Sequence, residues 1–201
     1  MTGLVRLPTG QAESDASLLD VGTGDGQLDL ELRGVLDVVL GRAFWVSGVA
    51  RATKQLADEQ FVRAPLAAGD VFVPRGNRQR ARRDLGDILE LEATPRWIAT
   101  DYLSVSTQYR YRSKKSDRYE AIGDLATGDV SLLGFATAQY AHTVGVGVTY
   151  STHAAARRGR RTLPMDITWQ HLRVVRATGG YTPALASDQF RLRVFTGLGG
   201  R

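Results

Sequence analysis

Between Gln27 and Leu40 every even-numbered residue is apolar or glycine: Leu28, Leu30, Leu32, Gly34, Leu36, Val38 and Leu40. The odd positions carry Gln27, Asp29, Glu31, Arg33 and Asp37. Alternation at period two is the pattern of a strand with one apolar and one polar face. Leu28, Leu32, Leu36 and Leu40 also satisfy the i, i+4 spacing of a helix, so this segment alone leaves both readings open.

The remainder of the chain repeats only the period-two pattern. Phe44, Val46, Gly48, Ala50 and Ala52 oppose Ser47, Arg51, Thr53 and Gln55. Leu89, Leu91, Ala93, Pro95, Trp97 and Ala99 oppose Glu90, Glu92, Thr94, Arg96 and Thr100; Pro95 predicts a bulge or local break there. Leu103, Val105, Thr107, Tyr109 and Tyr111 oppose Ser104, Ser106, Gln108, Arg110 and Arg112. Val144 to Tyr150, Met165 to Trp169 and Phe190 to Leu198 continue the pattern, with Asp166, Arg191 and Arg193 on the polar side. A short segment at 3–7 precedes them, which makes eight expected strands.

The connections alternate too. Stretches 8–26, 57–86, 113–131 and 177–187 are long, polar and rich in Gly, Asp or Arg. The joints at 41–42 and near Asp101 are very short, and 154–163 is intermediate. A Gly41-Arg42 joint between alternating runs predicts a tight two-residue hairpin. Long loops at one end and short turns at the other describe an up-and-down meander, the connectivity of an outer-membrane β-barrel. That topology places the short turns in the periplasm.

A soluble barrel would also alternate, but it keeps its charges outside. Here the apolar side is Leu/Val with aromatics near segment ends (Phe44, Trp45, Trp97, Tyr102, Tyr109, Tyr111, Trp169), in the manner of an interfacial girdle. The polar side carries Asp29, Glu31, Arg33, Asp37, Arg51, Glu90, Glu92, Arg96, Arg110, Arg112, Arg191 and Arg193, which are expected to face a wet lumen. Composition permits this. No apolar run approaches the ~18 residues of a membrane helix, yet barrel strands need only about ten alternating residues. With no Cys and only His142, His153 and His171, a thiolate or histidine metal site is not expected.

Several phrases, in order, carry a resemblance: GLVRLPTG (3–10), LLDVGTGDGQLDLEL (18–32), GVGVTYST (145–152), RRGRRTLPMDITWQH (157–171) and DQFRLRVFTGL (188–198). Their sequence resembles the outer-membrane transporter family named for the MetA pathway of phenol degradation. The resemblance implies an all-β, antiparallel, up-and-down transmembrane β-barrel acting as a passive channel for small solutes, without cofactor or covalent chemistry. Members of that family have additional strands before Leu-Pro-Thr-Gly and a signal sequence. The expectation is therefore about eight strands of a larger barrel, in a chain truncated at its N-terminal side and occupying residues 1–201 as one domain. A non-transporting structural barrel, its lumen filled by salt bridges, is the alternative.

Two chemistries compete. LLDVGTGDG resembles the first motif of S-adenosylmethionine-dependent methyltransferases, with Gly22, Gly24 and Gly26 giving backbone access to the cofactor. The next strand should then end in an acid for the ribose hydroxyls, and it holds Ala50-Arg51 instead. Ser151 and His153, with Asp166 downstream, share a strand face and would permit a nucleophile–base contact; a turn-proximal polar pair explains them better. The chain carries formal net charge +5, mostly as Arg. Arg75, Arg78, Arg80, Arg82 and Arg83 fall in a long loop, where they would contact lipopolysaccharide phosphates in the outer leaflet. Nucleic acid is not expected, because only Phe72 accompanies this cluster.

Overall fold

The protein is described by a computed structural model over residues 1–9, 26–70, 72–123, 128–179 and 185–195. The alternating segments form strands wherever period two is sustained. In chain order the strands are β1 (Thr2–Arg6), β2 (Asp29–Leu40), β3 (Phe44–Gln55), β4 (Asp58–Arg63), β5 (Arg78–Asp84), β6 (Ile88–Ile98), β7 (Leu103–Lys114), β8 (Arg118–Ala121), β9 (Gln139–Ser151), β10 (Met165–Thr178) and β11 (Ala186–Val194). One short helix, α1 (His153–Arg157), lies between β9 and β10.

Eight strands make one antiparallel sheet in the order β1-β2-β3-β6-β7-β9-β10-β11. With β4, β5 and β8 set aside, that is sequence order, so the expected meander is present. The sheet is open: among the described residues β1 and β11 each pair on one side only, so no barrel closes within them. Closure is not encoded in period two, which dictates faces and leaves the edges unspecified.

The short turns lie together at one end. Gly41 adopts φ 68°, a left-handed conformation that favours glycine, and the β2–β3 connection spans Gly41, Arg42 and Ala43 rather than two residues, with Leu40 opposite Phe44. The β6–β7 turn is fastened by Thr100, whose Oγ1 accepts the Leu103 amide at 3.0 Å. At Thr94 and Pro95 the β6–β7 pairing lapses without a register shift. This is the local break expected from a residue with no N–H to donate.

At the other end, two stretches expected as long loops hold structure. After Gln55 the chain enters β4, before Ile88 it leaves β5, and after Lys114 it enters β8. These form a second sheet, β4-β5-β8, which repeats the neighbour order of β3, β6 and β7. Its core is small: Ala64, Ala81 and Val130, with Val62, Tyr119, Ala121 and Leu133 packed around them. Tyr119 is held above the usual phenol range first by burial and then by the nearby Asp117 carboxylate. The loop 8–26 expected before β2 lies largely outside the described residues, including Gly22 and Gly24; Gly26 is described, at φ 65°.

Candidate functional site

Register fixes the two faces of the large sheet. Pairings Arg33↔Arg51, Arg51↔Glu90, Glu90↔Arg112 and Arg112↔Ala141 place those residues in one row on one face. The parallel row Leu40, Phe44, Trp97, Val105, Val148, Trp169, Phe190 lies on the other. Every polar-side residue expected from the alternation, Asp29 through Arg193, falls on the first face. Trp45 is an exception among the girdle aromatics. It pairs Val39 and Arg96 on the polar face.

The burial of the two faces is inverted relative to a protein packed for water. On β6, Leu89 and Leu91 are exposed while Glu90 and Glu92 are half-buried; on β9, Val144, Val146 and Val148 are exposed while Gly145 and Gly147 are buried. Leu36 is 67% exposed and Phe190 79%. Side chains are therefore more closely packed on the polar face than on the apolar one. Across the middle of that face Gln170 Nε2 donates to Gln108 Oε1 at 2.5 Å, bridging over β9. Gly145 and Gly147 lie beneath it, and a Cβ at Gly145 would collide with the Leu172 side chain.

Charged groups on the polar face form a ladder. Arg51 lies between Glu31 (Nε, 3.3 Å) and Glu90 (Nη1, 2.7 Å). Glu90 also meets Arg112 at 3.2 Å, and Glu92 meets Arg110 at 3.1 Å. Asp29, 2% exposed, is bound by Arg6 of β1. Among the described residues Asp37 accepts only the Ser47 hydroxyl (2.5 Å). Arg33, Arg96, Arg191 and Arg193 have no ion-pair partner among the described residues, and Arg33 Nε is buried without a hydrogen-bond acceptor.

At the long-loop rim the apolar face ends in charge. Lys54 and Lys115 both contact the Asp87 carboxylate, at 3.0 and 3.2 Å. Partial burial works against ionisation of Asp87, but the hydrogen bonds and charges of the two ammonium groups outweigh it and hold its carboxyl below the usual range. Aromatic groups stand near both rims of the apolar face. Tyr102 stacks on Tyr150 at 6.2 Å near the short turns, while Tyr109, Tyr111 and Tyr140 surround His142 near the long loops, with Tyr109 Oη 2.7 Å from His142 Nδ1.

The arginine cluster is not a free loop. Arg75 lies in a single 3-10 turn, and Arg78, Arg80, Arg82 and Arg83 lie on β5. Arg83 points inward and makes a two-pronged contact with Asp58, at 2.9 and 2.7 Å. Arg80 pairs Glu59 and Arg78 covers the Phe61 ring at 4.2 Å. Arg75, Arg78, Arg80 and Arg82 remain exposed. Sequence reasoning missed this strand because its inward positions are Gln79, Ala81 and Arg83 rather than aliphatic residues.

The enzymatic alternatives fare differently. The strand–helix alternation required of a methyltransferase is replaced by an all-β fold. Ser151 Oγ donates to Asp166 at 2.5 Å, whereas the His153 ring lies against Phe195, tilted, with centroids 5.0 Å apart. A nucleophile relay needs the imidazole between the two, and it is not there. Among the described residues no cluster of three His, Asp or Glu is placed to hold a metal. No protein-family model matches the chain, and no curated protein matches it.

Proposed function

We propose that this chain is an outer-membrane β-barrel protein, forming a passive channel for small solutes, with the apolar face against lipid and the polar face lining the lumen. The carrying observation is the inversion: Leu30, Leu36, Leu91, Val146 and Val148 are exposed, while Glu31, Arg51, Glu90 and Arg112 are half-buried and ion-paired. In water, an apolar face extending over eight strands would be an aggregation surface. In lipid it is the requirement.

The shape of the apolar band supports the same reading. On the long-loop side it begins at Leu30 on β2, Ala52 on β3, Leu89 on β6, Tyr111 on β7, Val144 on β9 and Phe190 on β11. Through the register, Phe190 lies in the row of Leu40, ten residues along β2 from Leu30. Over six strand-to-strand steps the edge therefore shifts by an average of between one and two residues per step. With about 3.3 Å per residue and ~4.8 Å between strands, the band slants by roughly 50° to the strands, close to the ~35–45° tilt of membrane barrels. From Leu30 to Leu40 the band runs ~33 Å along β2, or about 21 Å after allowing for that slant, a little under the usual ~25 Å apolar height.

The family resemblance points to the outer membrane and to transport. The test is refolding into phospholipid vesicles followed by planar-bilayer recording. Protease protection of the strands with stepwise conductance is expected. Folding in detergent-free buffer as a monodisperse soluble protein would overturn the membrane reading. The ladder Glu31–Arg51–Glu90–Arg112 favours a second reading, a barrel plugged by its own ion pairs, which predicts insertion without conductance. The exposed guanidiniums of β5, on the long-loop side, are suited to lipopolysaccharide phosphates.

A further inference from the structure

Resting on the channel reading above, we infer that the lumen selects small anions, bearing carboxylate or phosphate, through a belt of arginines at one depth. The slant of the apolar band allows depth to be compared across strands. Measured from the band's long-loop edge on its own strand, Arg33 stands three residues inside (edge at Leu30), Arg51 one (Ala52) and Arg110 one (Tyr111). On β11 the edge is Phe190, so Arg191 and Arg193 stand one and three residues inside. Arg33 and Arg193 lie at opposite sides of the sheet, yet each stands three residues inside that edge, so they share a depth once the tilt is included.

Of the carboxylates at this depth, Asp166 lies opposite Arg193 and accepts the Ser151 hydroxyl at 2.5 Å, and the glutamates are already ion-paired. Glu31 and Glu90 are taken by Arg51, and Glu92 by Arg110. Arg33, Arg191 and Arg193 are left without an ion pair among the described residues. Arg33 stands opposite Arg51, which is already committed to two carboxylates. Fixed, uncompensated guanidinium charge in a narrow, low-dielectric passage favours counter-anions, and the planar fork suits oxyanions in particular.

The test is the reversal potential of the full chain in a planar bilayer under a potassium chloride gradient. A potential displaced toward that of chloride is expected. The triple variant Arg33→Gln, Arg191→Gln, Arg193→Gln should shift it toward that of potassium, while the corresponding Lys variants should retain the wild-type sign. Added phosphate should reduce the chloride current of the wild type and leave that of the Gln variant largely unaffected. A conducting wild type with potassium preference would overturn this inference and leave the channel intact. A wild type that inserts and passes no current would overturn the channel reading, and this inference with it.

Discussion

Gly86 sits beneath Asp117: its amide donates to Asp117 Oδ1 at 2.7 Å, where the chain passes from the small sheet into the large one. Lys114 holds the same carboxylate at 2.6 Å. A Cβ on Gly86 would collide with the Lys115 carbonyl. The backbone approach at this junction therefore requires glycine at position 86, and it joins β5–β6 to β7–β8.

Gly86→Ala should lower unfolding free energy by about 2–3 kcal/mol, in the range of forced overpacking. Gly76→Ala is the control, because a Cβ there meets nothing within 4 Å. Urea unfolding of the refolded protein measures both. Equal, small effects would show that the junction yields.

The paired Arg83 and Asp58 make a second prediction. Arg83 has a side chain 7% exposed and Asp58 one 26% exposed. Arg83→Met leaves a carboxylate without its counter-ion and should cost about 2 kcal/mol, less than the ~3–5 of a fully buried pair because Asp58 keeps some water. Asp58→Asn in the same chain should recover part of that loss. A double-mutant cycle on the unfolding midpoint reads the coupling.

These two contacts also mark the limit of what the sequence reveals. Seven of the eight strands of the large sheet are legible because apolar residues recur at alternate positions, from Leu28 to Val194, and β1 adds the short run before them. The polar face is legible for the same reason, down to Arg51 and Glu90. In β5 the inward groups are Gln79, Ala81 and Arg83, so period two persists but hydrophobicity does not report it. The signal available was charge: Asp58 and Glu59 upstream match an Arg-rich run downstream. Whether Arg33 pairs with a carboxylate depends on register, and no single strand's pattern specifies register.

Acid should loosen the rim at Asp87. Its carboxyl is held below the ordinary ~4 of a free carboxylate, so the folded state binds the proton less well than the unfolded chain. The contribution of the Lys54–Asp87–Lys115 contact is thus complete above the unfolded value. It is lost as pH falls through the lowered folded one. Asp87→Asn should lower the melting temperature at pH 7 and narrow its gap to wild type near pH 3. An unchanged gap would mean that the contact contributes nothing.

Val35 and Leu36 are neighbours on β2 with opposite expected responses. Register places Val35 on the polar face with Val49 and Glu92, and Leu36 on the apolar face with Gly48 and Ala93. Leu36 lies midway along the apolar run from Leu30 to Leu40 and is 67% exposed; Val35 is 53% exposed. In water both would tolerate arginine, since each side chain is already largely outside packed contacts and a surface change costs within ~0.5 kcal/mol. In lipid the symmetry breaks. Leu36→Arg puts a guanidinium near the bilayer midplane at a cost of about 2–4 kcal/mol, whereas Val35→Arg adds one to a wet face already carrying Arg33. Refolding yield into vesicles and the urea midpoint there should fall for Leu36→Arg and stay near wild type for Val35→Arg. Equal tolerance at both positions would mean that the apolar face does not meet lipid.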